Sequence, residues 1–161
     1  MAIYHLNVKI IGRNSGRSSV AATAYRSGDT LTNEWDGLTH DYSKKQWIEH
    51  SEIMLPDNAP ESFQDRGTLW NAVEMAEKSG AAQLAREIEI ALPLELNQSQ
   101  HLDLVRSYIQ KNFTDKGMCA DFSIHKWPGN PDRRIRHPNQ CPQQNDFSES
   151  TRSHHVDNAS T

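Results

Sequence analysis

The stretch SIHKWPGNPDRRIRHP, Ser123 to Pro138, sets side chains that could hold a metal ion beside side chains that could not. His125 closes an alternating run, and imidazole is a common metal ligand, although a lone histidine is more often plain surface or a satisfied core residue. Past Gly129-Asn130-Pro131, Asp132 could add an oxygen ligand, but Arg133, Arg134 and Arg136 come next. A guanidinium is a permanent cation with no lone pair to give. His137 would reach the same place only along a different backbone path.

Near the other end, Met1 to Gly28 carries Lys9, Arg13, Arg17 and Arg26 and no acid. Ser18 or Ser19 can cap a helix there, and free N–H groups at a helix start, together with arginines, suit phosphate. Arg13, Arg17, Ser18 and Arg26 are therefore candidate DNA-binding residues, or a solvated basic surface. Tyr25, in AYRSG, is either an oxygen nucleophile or a half-buried tyrosine that ends the helix. In EIEIALP, Glu87 and Glu89 share one side of a strand while Ile88, Ile90 and Leu92 take the other. Either carboxylate could accept a proton or orient a metal-bound water, or both could simply be solvated.

These residues need elements to hold them. Ile3 to Ile11 is rich in β-branched residues and reads as a strand, with GRNSG as a turn. RSSVAATAYRSG reads as a short helix closed by Gly28. Residues 29–50 are polar with scattered aromatics, a long loop or a hairpin, and SEIMLP is a short strand. Leu69, Trp70, Val73 and Ala76 recur at helical spacing between Asp65 and Ser79. A further helical run is expected to begin inside AAQLAR before the EIEIALP strand, and another helix spans Gln98 to Phe113. MCADFSIH then alternates, with Met118, Ala120, Phe122 and Ile124 opposite Cys119, Asp121, Ser123 and His125. The pattern predicts a two-layer α/β sandwich in which helices cover one face of the sheet and a working surface occupies the other.

The chain has 161 residues, enough for one domain with a real core. Cys119 and Cys141 form no metal or disulfide pattern, MAIYHLNVKI carries no charged leader, and no apolar run approaches the ~20 residues of a membrane span. A cytoplasmic protein without membrane partners is expected. Formal net charge is −4, which by itself argues against a nucleic-acid partner, yet the acid-free start allows a local positive patch. Four of the seven prolines fall between Pro128 and Pro142, and the residues after Pro142 offer almost nothing to bury, so residues 132–161 are expected to be a disordered or aberrant tail.

AIYHLNVKIIGRNSGRSSVAATAYRSG, THDYSKK, SEIMLPDNAP, LWNAVE, AREIEIALP and DKGMCADFSIH resemble, in that order, the N-terminal relaxase domain of the MobA/MobL family of plasmid mobilisation proteins. The resemblance covers roughly residues 2–131. It implies a mainly antiparallel α+β fold of the histidine-metal nickase (relaxase-like) type and a divalent metal, Mg²⁺ or Mn²⁺. The implied partners are origin-of-transfer DNA, single-stranded or hairpin, and accessory mobilisation proteins. The implied activity is strand-specific nicking at a transfer origin, which leaves the protein on the new 5′ phosphate.

Such a transesterification needs an oxygen nucleophile, a proton acceptor and a cation at the phosphate. The resemblance puts Tyr25 in the first role and His125 on the metal, and Glu87 is the favoured proton acceptor. In the family two more histidines come after Asn-Pro in a Pro-His-x-His sequence; here Asn130-Pro131 is succeeded by Asp132-Arg133-Arg134, with Arg134 in the place of the last histidine. The family's next strand is apolar and RRIRHPNQCPQQ is not. The reading is thus an incomplete relaxase-like domain, residues 1–131, lacking the last motif strand and impaired in metal-dependent cleavage, with a frameshift or truncation near codon 131. A non-catalytic DNA-binding remnant, or a product that folds poorly, are the alternatives.

Overall fold

The computed structural model describes residues 6–126 and the backbone of 134–136. Asp132, His137 and the other residues of the expected tail, apart from the backbone of 134–136, lie outside the described residues. In chain order the elements are β1 (Leu6–Gly12), α1 (Ser19–Ser27), β2 (Thr30–Thr32), β3 (Thr39–Asp41), β4 (Ile48–Met54), α2 (Arg66–Ala76), β5 (Gln83–Ala91), α3 (Gln98–Asn112), β6 (Ala120–His125) and β7 (Arg134–Arg136). Five strands form one antiparallel sheet in the order β1-β5-β7-β6-β4, and β2 and β3 form a separate hairpin. The expected α+β class holds.

Each strand's period-two pattern sorts its side chains to the two faces. Ile88, Phe122 and Ile124 meet Val105 and Ile109 of α3 on one face. On the other, Ile11, Ile53, Ala85 and Cys119 meet Val20 of α1 and Leu69, Trp70 and Val73 of α2. The expectation of helices on a single face is therefore corrected. The polar face is apolar where β5 and β6 begin, and α1 and α2 cover that half. The other half carries Glu87, Glu89, Asp121, Ser123 and His125, all buried. Asp121 joins the two halves: it accepts from Trp70 Nε1 at 2.9 Å and from Arg66 Nε at 2.7 Å, and Arg66 also reaches Asp29 at 2.7 Å.

Two further expectations change. Gln83 to Arg86 is strand and not helix, because Ile11 pairs with Ala85 and Gly12 with Gln83, and tertiary pairing overrides the weak helical preference of the local sequence. A strand does come after β6. Glu89 to Ala91 pairs with 136 to 134 on one side, and Ser123 to His125 pairs with 136 to 134 on the other. A ladder is made of backbone groups, and the facing edges of β5 and β6 need partners whatever the side chains of the filling segment. This is why a segment without an apolar run can fill the middle of the sheet.

Within the described residues, β7 links the β1–β5 pair to the β4–β6 pair in the sheet. Proline at position 135 would remove a ladder donor in a strand paired on both sides. Ile135→Pro is expected to lower unfolding free energy by about 2–4 kcal/mol, measured by urea denaturation; an unchanged midpoint would show that β7 does not hold the sheet together.

Candidate active site

α1 carries Tyr25, and both of its ends are fastened. At the start, Ser18 caps the helix by accepting from Ala21 N at 3.2 Å. The charge of this N-terminus is met by Glu74, a buried residue of α2. Its Oε1 accepts from Ser19 N at 2.7 Å, Ser19 Oγ at 2.9 Å and Ser18 Oγ at 3.0 Å. A carboxylate is the favoured occupant of a helix N-terminus. The helix start read as a phosphate anchor is thus occupied by the protein's own anion, and Ser18 is taken up in capping.

Arg13 is committed in the same way. It donates to Glu74 Oε2 at 3.0 Å and to the Glu74 and Glu77 carbonyls at 2.8 and 2.5 Å, and its guanidinium lies 3.7 Å from the centre of the Trp35 ring. It holds the β1–α1 connection to α2, which leaves little of it to meet DNA.

Arg26 and Arg17 converge on Glu87. Arg26 Nη2 lies 2.5 Å and Arg17 Nη2 3.3 Å from Glu87 Oε2. Arg26 is buried beside the sheet, whereas the Arg17 side chain is 42% exposed and can still reach a phosphate. Burial pushes the Glu87 carboxyl up, but Arg26 and then Arg17 outweigh it and hold it below its ordinary range. A carboxylate stabilised as an anion is a weak acceptor for a phenolic proton, so the geometry favours an anchor for two arginines over the general base read from sequence.

The same shift has a consequence for acid stability. A carboxyl depressed in the folded state stabilises above its unfolded value and loses that contribution as pH falls through the folded value, because the unfolded chain binds the proton first. Between pH 6 and 3 the protein is expected to lose more stability than Glu87→Gln, in which the group cannot titrate. Urea midpoints against pH check this, and parallel curves would remove the ion pair from the account.

Tyr25 stands in the last turn of α1 and is 39% exposed. Its ring meets the edge of Tyr42 at 5.2 Å, and Lys45 Nζ lies 3.5 Å from its centroid. Gly28 ends the helix at φ 75°, its N–H bonded to Ala24 O at 2.9 Å. A side chain here would meet Ile48 Cδ1 at 2.5 Å, and Ile48 pairs directly with His125. The helix end bearing Tyr25 therefore comes down at the strand end bearing His125, and Glu89 lies on the same face, one strand beyond β7.

His125 is buried at the end of β6, and position 134 stands beside it in the ladder. Among the described residues no three His, Cys, Asp or Glu side chains are grouped to hold a metal. The described part supplies one imidazole and does not make up the three-imidazole site that the resemblance implies. Glu74, Tyr42 and Lys45 carry no role in the reading from sequence, although LWNAVE and THDYSKK contain them. Among the described residues, no helix is long and apolar enough to cross a membrane.

The MobA/MobL family profile matches residues 17–154, continuing past Pro131, where the resemblance by motif ends. The chain is 43% identical over 141 residues to mobilization protein MobL of Acidithiobacillus ferridurans, covering 87% of this chain and 36% of that protein. It is 43% identical to conjugal transfer protein TraA of Rhizobium radiobacter over 81% of this chain and 13% of that one, and 34% identical to a 43 kDa relaxation protein of Salmonella typhimurium over 78% and 30%. The chain thus spans little more than a third, at most, of the length of these relatives. A solved structure described as the molecular basis of vancomycin resistance transfer in Staphylococcus aureus superposes with a TM-score of 0.80 at 32% identity, over 90% of this chain and 74% of that one. The chain belongs to the MobA/MobL family.

Proposed function

We propose that this chain is the DNA-handling portion of a mobilisation relaxase, acting on single-stranded or hairpin DNA of a transfer origin. The observation that carries the reading is the position of Tyr25, exposed at the end of a fastened helix, next to an arginine pinned to the sheet and close in the fold to the strand end that bears His125. The Tyr25 oxygen would bond to the scissile phosphorus as the bond to the 3′ oxygen breaks. The phenolic proton passes to solvent at the exposed ring, and the 3′ oxygen leaves as a hydroxyl. Arg17, still partly exposed, would steady a phosphate; Arg26 and Glu87 would keep α1 in place.

A bound Mg²⁺ or Mn²⁺ would supply charge neutralisation at the phosphate. His125 would be one ligand and Asp132 the next candidate, while the sequence has an arginine, with no lone pair to give a cation, where the family has its last histidine. Cleavage is therefore expected to be slow in this chain. That same feature favours a second reading, a DNA-binding remnant that no longer cuts.

The test is incubation with labelled origin oligonucleotides and Mn²⁺. An adduct that survives denaturant supports the relaxase reading, a gel shift without adduct supports the remnant, and absence of both rejects the proposal.

A further inference from the structure

We infer that Lys45 is a positioning residue for Tyr25, holding the ring and the end of α1 so that the phenolic oxygen is presented in one direction. The inference rests on Tyr25 being the nucleophile. A partly exposed tyrosine ring at a helix end ordinarily changes rotamer on the picosecond to nanosecond scale. Here the connection from β3 to β4 closes around it. Tyr42 presents its ring edge-on, 5.2 Å away at 86°, and Lys45 Nζ sits 3.5 Å from the ring centre. The same ammonium donates a hydrogen bond to the Tyr25 carbonyl. One cation thus holds the π face of the side chain and a carbonyl in the last turn of its helix, and both attractions have the sign that ring quadrupole and helix dipole require.

The connection is built to keep Lys45 there. Asp41 Oδ1 accepts from Ser43 N at 2.9 Å and from Thr30 Oγ1 at 2.7 Å, and Lys45 N donates to Tyr42 O at 2.8 Å. Trp47 takes φ 71°, the left-handed region, and is the only described residue other than glycine to do so. Its carbonyl accepts from Lys126 N at 2.9 Å, the residue after His125. Strain of this kind persists where the surrounding structure over-determines the backbone, and it clusters at functional sites. Lys45 is thereby fixed between the β2–β3 hairpin on one side and the end of β6 on the other.

In an in-line displacement the Tyr25 oxygen must approach opposite the departing 3′ oxygen, and a ring already held in place loses little freedom on the way. Removing the clamp should slow the chemical step without weakening DNA binding. A lysine that merely contacted phosphate would do the reverse.

The experiment uses 3-fluorotyrosine at position 25 in the full chain and in Lys45→Met and Lys45→Arg. The fluorine resonance is read without DNA, and single-turnover adduct formation is read at saturating origin oligonucleotide, with the dissociation constant measured separately. Expected for Lys45→Met are a displaced resonance, about tenfold slower adduct formation and an unchanged dissociation constant, with most of the rate restored by Lys45→Arg. An unchanged resonance overturns the clamp, as does a rate loss that disappears at saturating DNA. A displaced resonance in a protein that forms no adduct even with Lys45 in place leaves the clamp standing and rejects the cleaving relaxase reading in favour of the remnant.

Discussion

Tyr25→Phe is expected to bind origin DNA as the parent does and to form no denaturant-stable adduct. The substitution removes one oxygen from a ring that is already 39% exposed, and among the described residues the Tyr25 hydroxyl makes no hydrogen bond that would be lost. The edge contact with Tyr42 and the cation over the ring need only the aromatic face, which phenylalanine keeps. Folding and binding should therefore be untouched, while the atom that would bond to phosphorus is gone. Urea denaturation, gel shift and denaturing electrophoresis of labelled DNA separate the three readouts. An adduct persisting in Tyr25→Phe would move the nucleophile elsewhere, and Tyr42, whose ring abuts it, would be the first position to test.

The elements around Tyr25 are legible in the sequence because they rest on local rules. Ser18 and Gly28 mark the ends of α1 by capping chemistry, and both caps are found. The alternation of EIEIALP and MCADFSIH sorts Ile88, Phe122 and Ile124 to one face and Glu87, Asp121 and His125 to the other, as a period of two demands. Whatever depends on a distant partner is not legible. Arg13 and Arg26 look alike in sequence, yet one is spent on Glu74 and the other on Glu87. Glu74 sits within an ordinary helical pattern, where nothing local says that it points at the start of another helix. The strand at 134–136 has no apolar signature to announce it, because the demand it meets comes from backbone groups of β5 and β6. The place of Glu87 on a strand face suggests a base; its two arginine partners, which make it an anchor, are contributed by α1 and the loop before it.

Glu74→Ala is expected to cost more stability than Ile135→Pro, about 3–5 kcal/mol, the range for removing one member of a buried charged network. The carboxylate is 2% exposed and serves three donors at the start of α1 as well as Arg13. Without it the buried Ser19 N–H and hydroxyl lose their acceptor, and the N-terminal dipole of α1 faces a void. A helix of nine residues has no independent stability, so its docking depends on such contacts. For a domain of this size the loss corresponds to a fall in melting temperature of roughly 10–20 °C. Glu74→Gln keeps an oxygen acceptor for the Ser19 N–H but not the charge, and should fall between the parent and the alanine variant. If alanine and glutamine are equally damaging, the charge matters and the acceptor does not; if neither shifts the transition, α1 is held by its apolar face alone. Because Tyr25 rides on that helix, the alanine variant should also lose adduct formation at temperatures where it is still largely folded, whereas Ile135→Pro should lose it only on unfolding.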